Sequence, residues 1–179
     1  GSIDEESIFQ DGTSKDIKEY SIFYNNEVIR NTFEIISGLR FQQHKNYKDH
    51  LIPMVSVCKK FKKYNLRSTW SKGYRAPNLK ELYYLWEHPG GTVLGDPNLQ
   101  PEESEYFSVS VESLKDFYYS INIYHNSLKN MISYLTDGTT HTYTNFEEVT
   151  LNGINLFYTV CLWDDIYSCI WFNFQPNKA

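Results

Sequence analysis

Apolar and polar residues alternate with a period of two over most of this chain, and that period predicts strands rather than helices. Ile17 to Glu27 reads as a strand, with Asn31-Thr32 at the following turn. Phe33 to Gln42 then places Phe33, Ile35, Leu39 and Phe41 on one face and Glu34, Gly38, Arg40 and Gln42 on the other. Polar residues from Gln43 to His50 make a loop, and Leu51 to Lys60 pairs with Tyr64 to Ser71 through a lysine-rich turn. Further on, Tyr106 to Glu112, with Phe107, Val109 and Val111 on one face, pairs with Phe117 to His125 across Leu114-Lys115-Asp116. The second strand of that pair can continue from Ser127 to Leu135. Thr136 to Thr140 is a loop tip, and His141 to Phe146 the returning strand. Leu151 to Val160 turns Ile154, Leu156, Tyr158 and Val160 outward, and Ile166 to Phe174 follows a turn at Asp164-Asp165. Residues 1–16 are acidic and polar and read as a loop or frayed end.

The pattern therefore predicts an all-β chain of about eight antiparallel up-and-down strands, with short links at one end and longer ones at the other. Composition sharpens this. Tyr 15, Phe 11 and Trp 4 make the chain rich in rings, as strands and interfacial girdles are. No run of about 18 apolar residues occurs, so a helical membrane anchor is excluded. Strands that alternate average to a modest hydropathy, and the mean hydropathy of -0.52 is compatible with a membrane barrel. The net charge of -5 argues against a nucleic-acid partner. Lys59, Lys60, Lys62 and Lys63 around Phe61 read as a solvated turn. Cys58, Cys161 and Cys169 lack metal-ligand spacing, although Cys161 and Cys169 could face each other across the Asp164-Asp165 hairpin.

One stretch breaks the alternation. Ser71-Lys72-Gly73-Tyr74-Arg75-Ala76-Pro77-Asn78-Leu79-Lys80-Glu81-Leu82-Tyr83-Tyr84 is followed by Gly95-Asp96-Pro97-Asn98-Leu99-Gln100-Pro101-Glu102, making a long excursion at about 73–104 between two strands. Its prolines, glycines and two Pro-Asn pairs argue for a loop built of turns. In order and spacing it resembles the TonB-dependent outer-membrane receptors, whose barrels carry an aromatic-Arg-Ala-Pro segment, then Leu-Lys-Glu-Leu-Tyr, then Asn-Pro-Asn-Leu-x-Pro-Glu. Tyr74 stands where haem-type members more often have Phe, and Asp96 where Asn is usual. The resemblance extends more weakly over residues 17–175. It implies a partial barrel, with these strands a portion of about 22, and a plug domain lying outside the chain. It also implies a Gram-negative outer-membrane location in contact with lipid, and TonB-dependent uptake of an iron-siderophore, haem or cobalamin coupled through that plug. The residue pattern alone leaves open a small self-contained barrel, acting as an adhesin or soluble ligand carrier.

No chemistry of catalysis assembles. There is no Gly-x-Ser-x-Gly elbow, phosphate-cradling glycine loop or zinc spacing, so neither an enzyme nor a resident cofactor is expected. Glu102, Glu103 and Glu105 read as rim solvation. His88 lies where the haem receptors of this family carry an iron-contacting histidine, and the resemblance makes His88, Trp86, Tyr84 and Tyr83 the candidate ligand-binding residues. Gly73, Tyr74, Arg75, Ala76, Pro77, Asp96, Pro97, Asn98, Leu99, Pro101 and Glu102 are the motif positions with structural duties. Arg75 is expected to tie loop carbonyls or a carboxylate, and Pro77 to stop a strand.

Overall fold

The computed structural model describes residues 2–8, 14–113, 118–163 and 166–176. The alternating segments become β1 (Ser2–Ile8), β2 (Ser14–Arg30), β3 (Phe33–His44), β4 (His50–Lys60) and β5 (Tyr64–Arg75). After helix α1 (Leu79–Tyr83) and the short strands β6 (Leu85–His88) and β7 (Gly91–Leu94) come β8 (Glu102–Ser113), β9 (Tyr118–Asp137), β10 (Thr140–Trp163) and β11 (Ile166–Phe174). They form one curled 11-stranded sheet in the order β1-β2-β3-β4-β5-β8-β9-β10-β7-β6, with β11 also on β10. Every long neighbour is antiparallel, and among the described residues the one parallel pairing is β7 on β10. Thus β10 shares one edge between two partners, Thr140–Thr142 with β7 and Ile154–Trp163 with β11.

Two expectations are corrected by these ladders. The acidic start is not all loop: Ser2–Ile8 pairs with Ser14–Tyr20, because a strand edge presents unpaired main-chain groups whatever the side chains. The hairpin register sets Cys169 opposite Thr159 and Cys161 opposite Tyr167. Cys169 is a free thiol near the Thr159 hydroxyl, so the suggested Cys161–Cys169 bridge does not form. The Leu114-Lys115-Asp116 and Asp164-Asp165 turns lie outside the described residues.

Register fixes which face each side chain takes. Phe33, Ile35, Leu39 and Phe41 share the convex face with Leu51, Val57, Leu66, Phe107, Val109, Ile121, Ile123, Ile154, Leu156 and Tyr158, all exposed. The concave face carries Arg40, Gln42, Ser56, Arg67, Thr69, Ser108, Ser110, Asn122 and Asn126. Apolar outside and polar inside is the arrangement of a barrel wall in lipid. At the 31–32 and 61–63 end the links are short. There Lys60 pairs with Glu34 at 2.7 Å and Lys59 lies over the Phe33 ring. The opposite end carries the longer 45–49 and 76–101 links, the distribution that outer-membrane barrels show between their short-turn and long-loop ends. Toward it the convex face changes from apolar to charged at Lys72, Glu103, Glu105, Lys129 and Glu148, which marks the edge of the lipid-facing band.

A closed small barrel requires a ladder between β2 and β11. Among the described residues β11 pairs with β10, and β2 with β1 and β3, so this sheet is an open arc rather than a self-contained barrel. The facing assignment is testable with adjacent residues in the full-length protein. Ile123→Lys places a charge in lipid and costs about 2–4 kcal/mol, whereas Asn122→Lys faces the lumen and costs well under that. Urea unfolding in lipid vesicles measures both, and equal losses would contradict the assignment.

Candidate functional site: the 76–101 excursion

The excursion predicted at 73–104 begins later and ends earlier than expected, because Gly73–Arg75 and Glu102–Ser104 remain paired in the β5–β8 ladder. Pro77 has no N–H to offer a ladder, and β5 stops at Arg75. Asn78 then caps α1. Its Oδ1 accepts the Glu81 N–H at 2.8 Å while Glu81 Oε2 accepts the Asn78 N–H at 2.9 Å, a reciprocal capping box. Leu79 and Leu82, three residues apart on one helix face, are buried with Leu99, Ile17 of β2 and Tyr143 of β10. This cluster ties the excursion to two strands far apart in the sheet order.

Arg75 closes the base of the excursion. Its Nη1 donates to both Glu81 oxygens at 3.0 and 2.9 Å, and its Nε donates to Glu102 Oε2 at 2.7 Å. Glu102 Oε1 accepts the Ile132 N–H at 2.7 Å, so one carboxylate links loop, β8 and β9. The hydrogen bond to Glu102, with those to Glu81, raises the Arg75 pKa further above its ordinary value. Burial alone would raise the Glu102 carboxyl, but the Arg75 and Ile132 hydrogen bonds outweigh it and hold that group below 4.5. The acidic trio is divided: Glu105 accepts the Trp70 indole N–H at 2.7 Å, and Glu103 lies 3.9 Å from His50. His50 in turn stacks at 3.8 Å on the buried Tyr74 ring.

The second half of the motif is a turn locked by its own side chains. Asp96 Oδ1 accepts the Asn98 N–H at 2.8 Å, the Asp96 N–H reaches the Glu81 carbonyl, and Leu99 N–H reaches the Asp96 carbonyl. Tyr47 Oη donates to the Leu99 carbonyl at 3.0 Å, and Asn145 brackets both main-chain groups of Gln100. Gly95 packs directly on α1, where an added Cβ would lie 2.7 Å from the Leu82 and Tyr83 main chain. Pro77 and Pro101 are buried, Pro97 and Asn98 exposed, and Ala76 half-buried.

The four ring candidates separate into two groups. Tyr83 is half-buried beneath Lys15 Nζ, and Tyr84 beneath Lys80 Nζ. Trp86 and His88 are exposed on β6, stacked 5.2 Å apart with an interplanar angle of 14°. Pairing of β7 with β10 then brings in residues that sequence reasoning missed. Trp86, Val93, His141 and Thr136 share one row across four strands, with the Tyr143–Tyr134 pair two residues along on the same face. The Tyr134 and Tyr143 hydroxyls hydrogen-bond at 2.6 Å, and the Tyr134 ring meets His141 edge-on at 6.3 Å. Burial, then the Tyr134 hydroxyl, raises the Tyr143 phenol above its ordinary 10 and keeps it neutral. The missing signal was a parallel three-residue contact, which leaves no period in the sequence.

A family described as TonB dependent receptor-like, beta-barrel matches residues 4–177. The chain belongs to this family. It is an outer-membrane β-barrel segment, and its family comprises receptors rather than enzymes. It is 25% identical over 119 residues to a probable hemoglobin and hemoglobin-haptoglobin-binding protein 4 of Haemophilus influenzae, covering 66% of this chain and 12% of that protein. It is 32% identical over 111 residues to an iron-regulated outer membrane virulence protein of Vibrio cholerae, covering 56% of this chain and 16% of the relative. The siderophore receptor PirA of Pseudomonas aeruginosa superposes with a TM-score of 0.79 at 16% identity, over 90% of this chain and 35% of that one. The chain thus spans well under a fifth of the curated relatives it matches.

The docking contacts predict how the excursion loosens. In the full-length receptor Leu82→Ala removes a buried side chain at about 2–5 kcal/mol, and amide exchange at 76–101 accelerates while exchange in β8 and β9 stays slow. A carboxylate held below its ordinary pKa contributes stability that is present above about 4.5 and is lost as pH falls through its lowered folded value. Exchange at 76–101 therefore rises on acidification below 4.5, and Glu102→Gln removes that pH dependence.

Proposed function

We propose that residues 76–101 form part of the extracellular capture face of a TonB-dependent receptor that takes up a scarce iron complex. The observation that carries this reading is the excursion itself. It is pinned over the concave side by Arg75, Glu81, Glu102 and the Leu79–Leu82–Leu99 cluster, while Trp86 and His88 stay solvent-exposed at the mouth. Loops held rigid at the base and open at the tip suit ligand capture, because little ordering entropy is lost on binding. The names of relatives support an iron compound, since one is named a probable haemoglobin-binding protein and a structural neighbour a siderophore receptor. The cargo is an iron-siderophore, haem or cobalamin, with a generic iron complex ranked first because Tyr74 and Asp96 depart from the haem-type wording.

In this reading the barrel wall supplies a passive conduit. Movement of cargo depends on a plug in the lumen, pulled through the TonB complex, and on the full circle of strands. Residues 1–179 alone bind weakly and transport nothing. The test replaces residues 85–94 of the full-length receptor by a short Gly-Ser link and follows uptake of haemin, a ferric siderophore and cobalamin by iron-starved cells. Loss of at least one cargo with normal surface expression is expected, and unchanged uptake of all three would overturn the proposal. Trp86→Ala, which removes one stacking ring, is expected to weaken binding of the affected cargo by about fivefold.

A further inference from the structure

The lysine-rich turn, which reads in the sequence as solvated, borders the lipid-facing wall. The β2–β3, β3–β4 and β4–β5 registers set Arg30, Phe33, Lys59 and Leu66 in one convex row, the last before the 31–32 and 61–63 turns. One row toward the middle of the wall stand Val28, Ile35 and Val57, apolar and exposed. Lys59 Nζ lies 3.7 Å from the Phe33 ring centroid and donates to Thr32 Oγ1 at 2.9 Å, which leaves ammonium hydrogens for another acceptor. Arg30 is exposed in the same row. Carboxylates do not neutralise this pair of cations. Lys60 and Arg67 point to the concave side, where Glu34 holds them at 2.7 and 3.3 Å. Between β2 and β10 the two convex rows continue through Val111 and Ile121, and through Val109 and Ile123, without an Asp or Glu. At the long-loop end the convex charges alternate in sign instead, with Lys72 beside Glu105 and Lys129 between Glu103 and Glu148.

We infer that Arg30 and Lys59, on either side of Phe33, bind the phosphate of an anionic glycerophospholipid in the leaflet at the short-link end. The inference rests on the receptor reading given above for its orientation: with residues 76–101 outside, this end meets the periplasmic leaflet. Arg30 and Lys59 are two strand spacings apart, ~10 Å, so a phosphodiester lying over Phe33 is within reach of both flexible stems. The guanidinium fork suits two phosphate oxygens, and the ammonium beside it supplies a second charge. From that point the acyl chains run along Val28, Ile35 and Val57, which gives the site an apolar half as well as a charged one. A zwitterionic lipid presents the same phosphate together with its own cation, which opposes Arg30 and Lys59. The pair therefore selects a headgroup of net negative charge, as in phosphatidylglycerol. The balanced charges at Lys72, Glu105, Lys129 and Glu148 offer no comparable preference at the other end.

The experiment titrates the full-length receptor in detergent with dioleoylphosphatidylglycerol and with dioleoylphosphatidylcholine, and counts retained lipid by native mass spectrometry. The unmodified receptor is expected to prefer phosphatidylglycerol, and the Arg30→Gln, Lys59→Gln double variant to weaken that lipid at least about tenfold while leaving phosphatidylcholine unchanged. Exchange of the two cations, Arg30→Lys with Lys59→Arg, keeps the charge and is expected to keep the preference. Glycerophosphoglycerol, the headgroup without acyl chains, is expected not to compete at equal concentration. Equal retention of both lipids by the unmodified receptor, an unchanged preference in the double variant, or competition by the free headgroup would overturn the site and leave the capture reading standing. Orientation is read separately in intact cells, from labelling of Lys62→Cys by a membrane-impermeant maleimide above the background of the unmodified receptor. No added labelling is expected. Labelling from outside would overturn the leaflet assignment, and with it the capture reading, whatever the lipid preference in detergent.

Discussion

Lipid cannot hydrogen-bond a peptide group, and the rest of this structure follows from that constraint. Main-chain groups that cross the bilayer must find partners along a ladder, so the strands pair in sequence order over the long registers from β2 to β11. Once the ladder is continuous, a strict period of two sorts the side chains: Ile123 faces lipid and Asn122 the lumen. The usual relation between burial and hydrophobicity is inverted. Large apolar residues dominate the exposed surface, while buried apolar side chains among the described residues are few and gather beneath the 76–101 excursion and on the concave wall.

That small cluster matters because, outside the short β6–β7 and β7–β10 pairings, the excursion has no ladder to hold it. Its backbone is satisfied piecemeal by the Asn78–Glu81 capping box, the Asp96 turn, Tyr47 and Asn145. Arg75 then converts these local devices into attachment, since its planar guanidinium meets the helix carboxylate and the β8 carboxylate at once. Such a partly exposed ion network resists small displacements better than it contributes net stability, while Leu79, Leu82 and Leu99 supply the hydrophobic part. The division leaves β6 free to extend over the mouth, with only β7 anchoring it to β10.

Functionally, rigidity and exposure are placed on neighbouring residues. Tyr83 and Tyr84 lie under lysines and belong to the packed part, whereas Trp86 and His88 of the following β6 are exposed.

The sequence by itself determined the all-β class, the turn at Asn31-Thr32, the facing of Phe33, Ile35, Leu39 and Phe41, and the family, through the wording around Tyr74-Arg75-Ala76-Pro77 and Asp96-Pro97-Asn98-Leu99, but not the count, which rises from about eight to 11 with β1, β6 and β7. These are local properties: a period of two, turn chemistry, and a motif whose members cap and cross-link one another within 30 residues. Tertiary structure decided the rest. Pairing of the acidic Ser2–Ile8 depends on an available edge, not on its own side chains. The offset that sets Cys169 opposite Thr159 is a register, and period-two patterns at a hairpin end do not specify it. The row that brings Trp86 to His141 arises from a three-residue parallel contact between segments about 50 residues apart. Such a contact is selected by where the docked loop ends up in space, and only the folded excursion fixes that position.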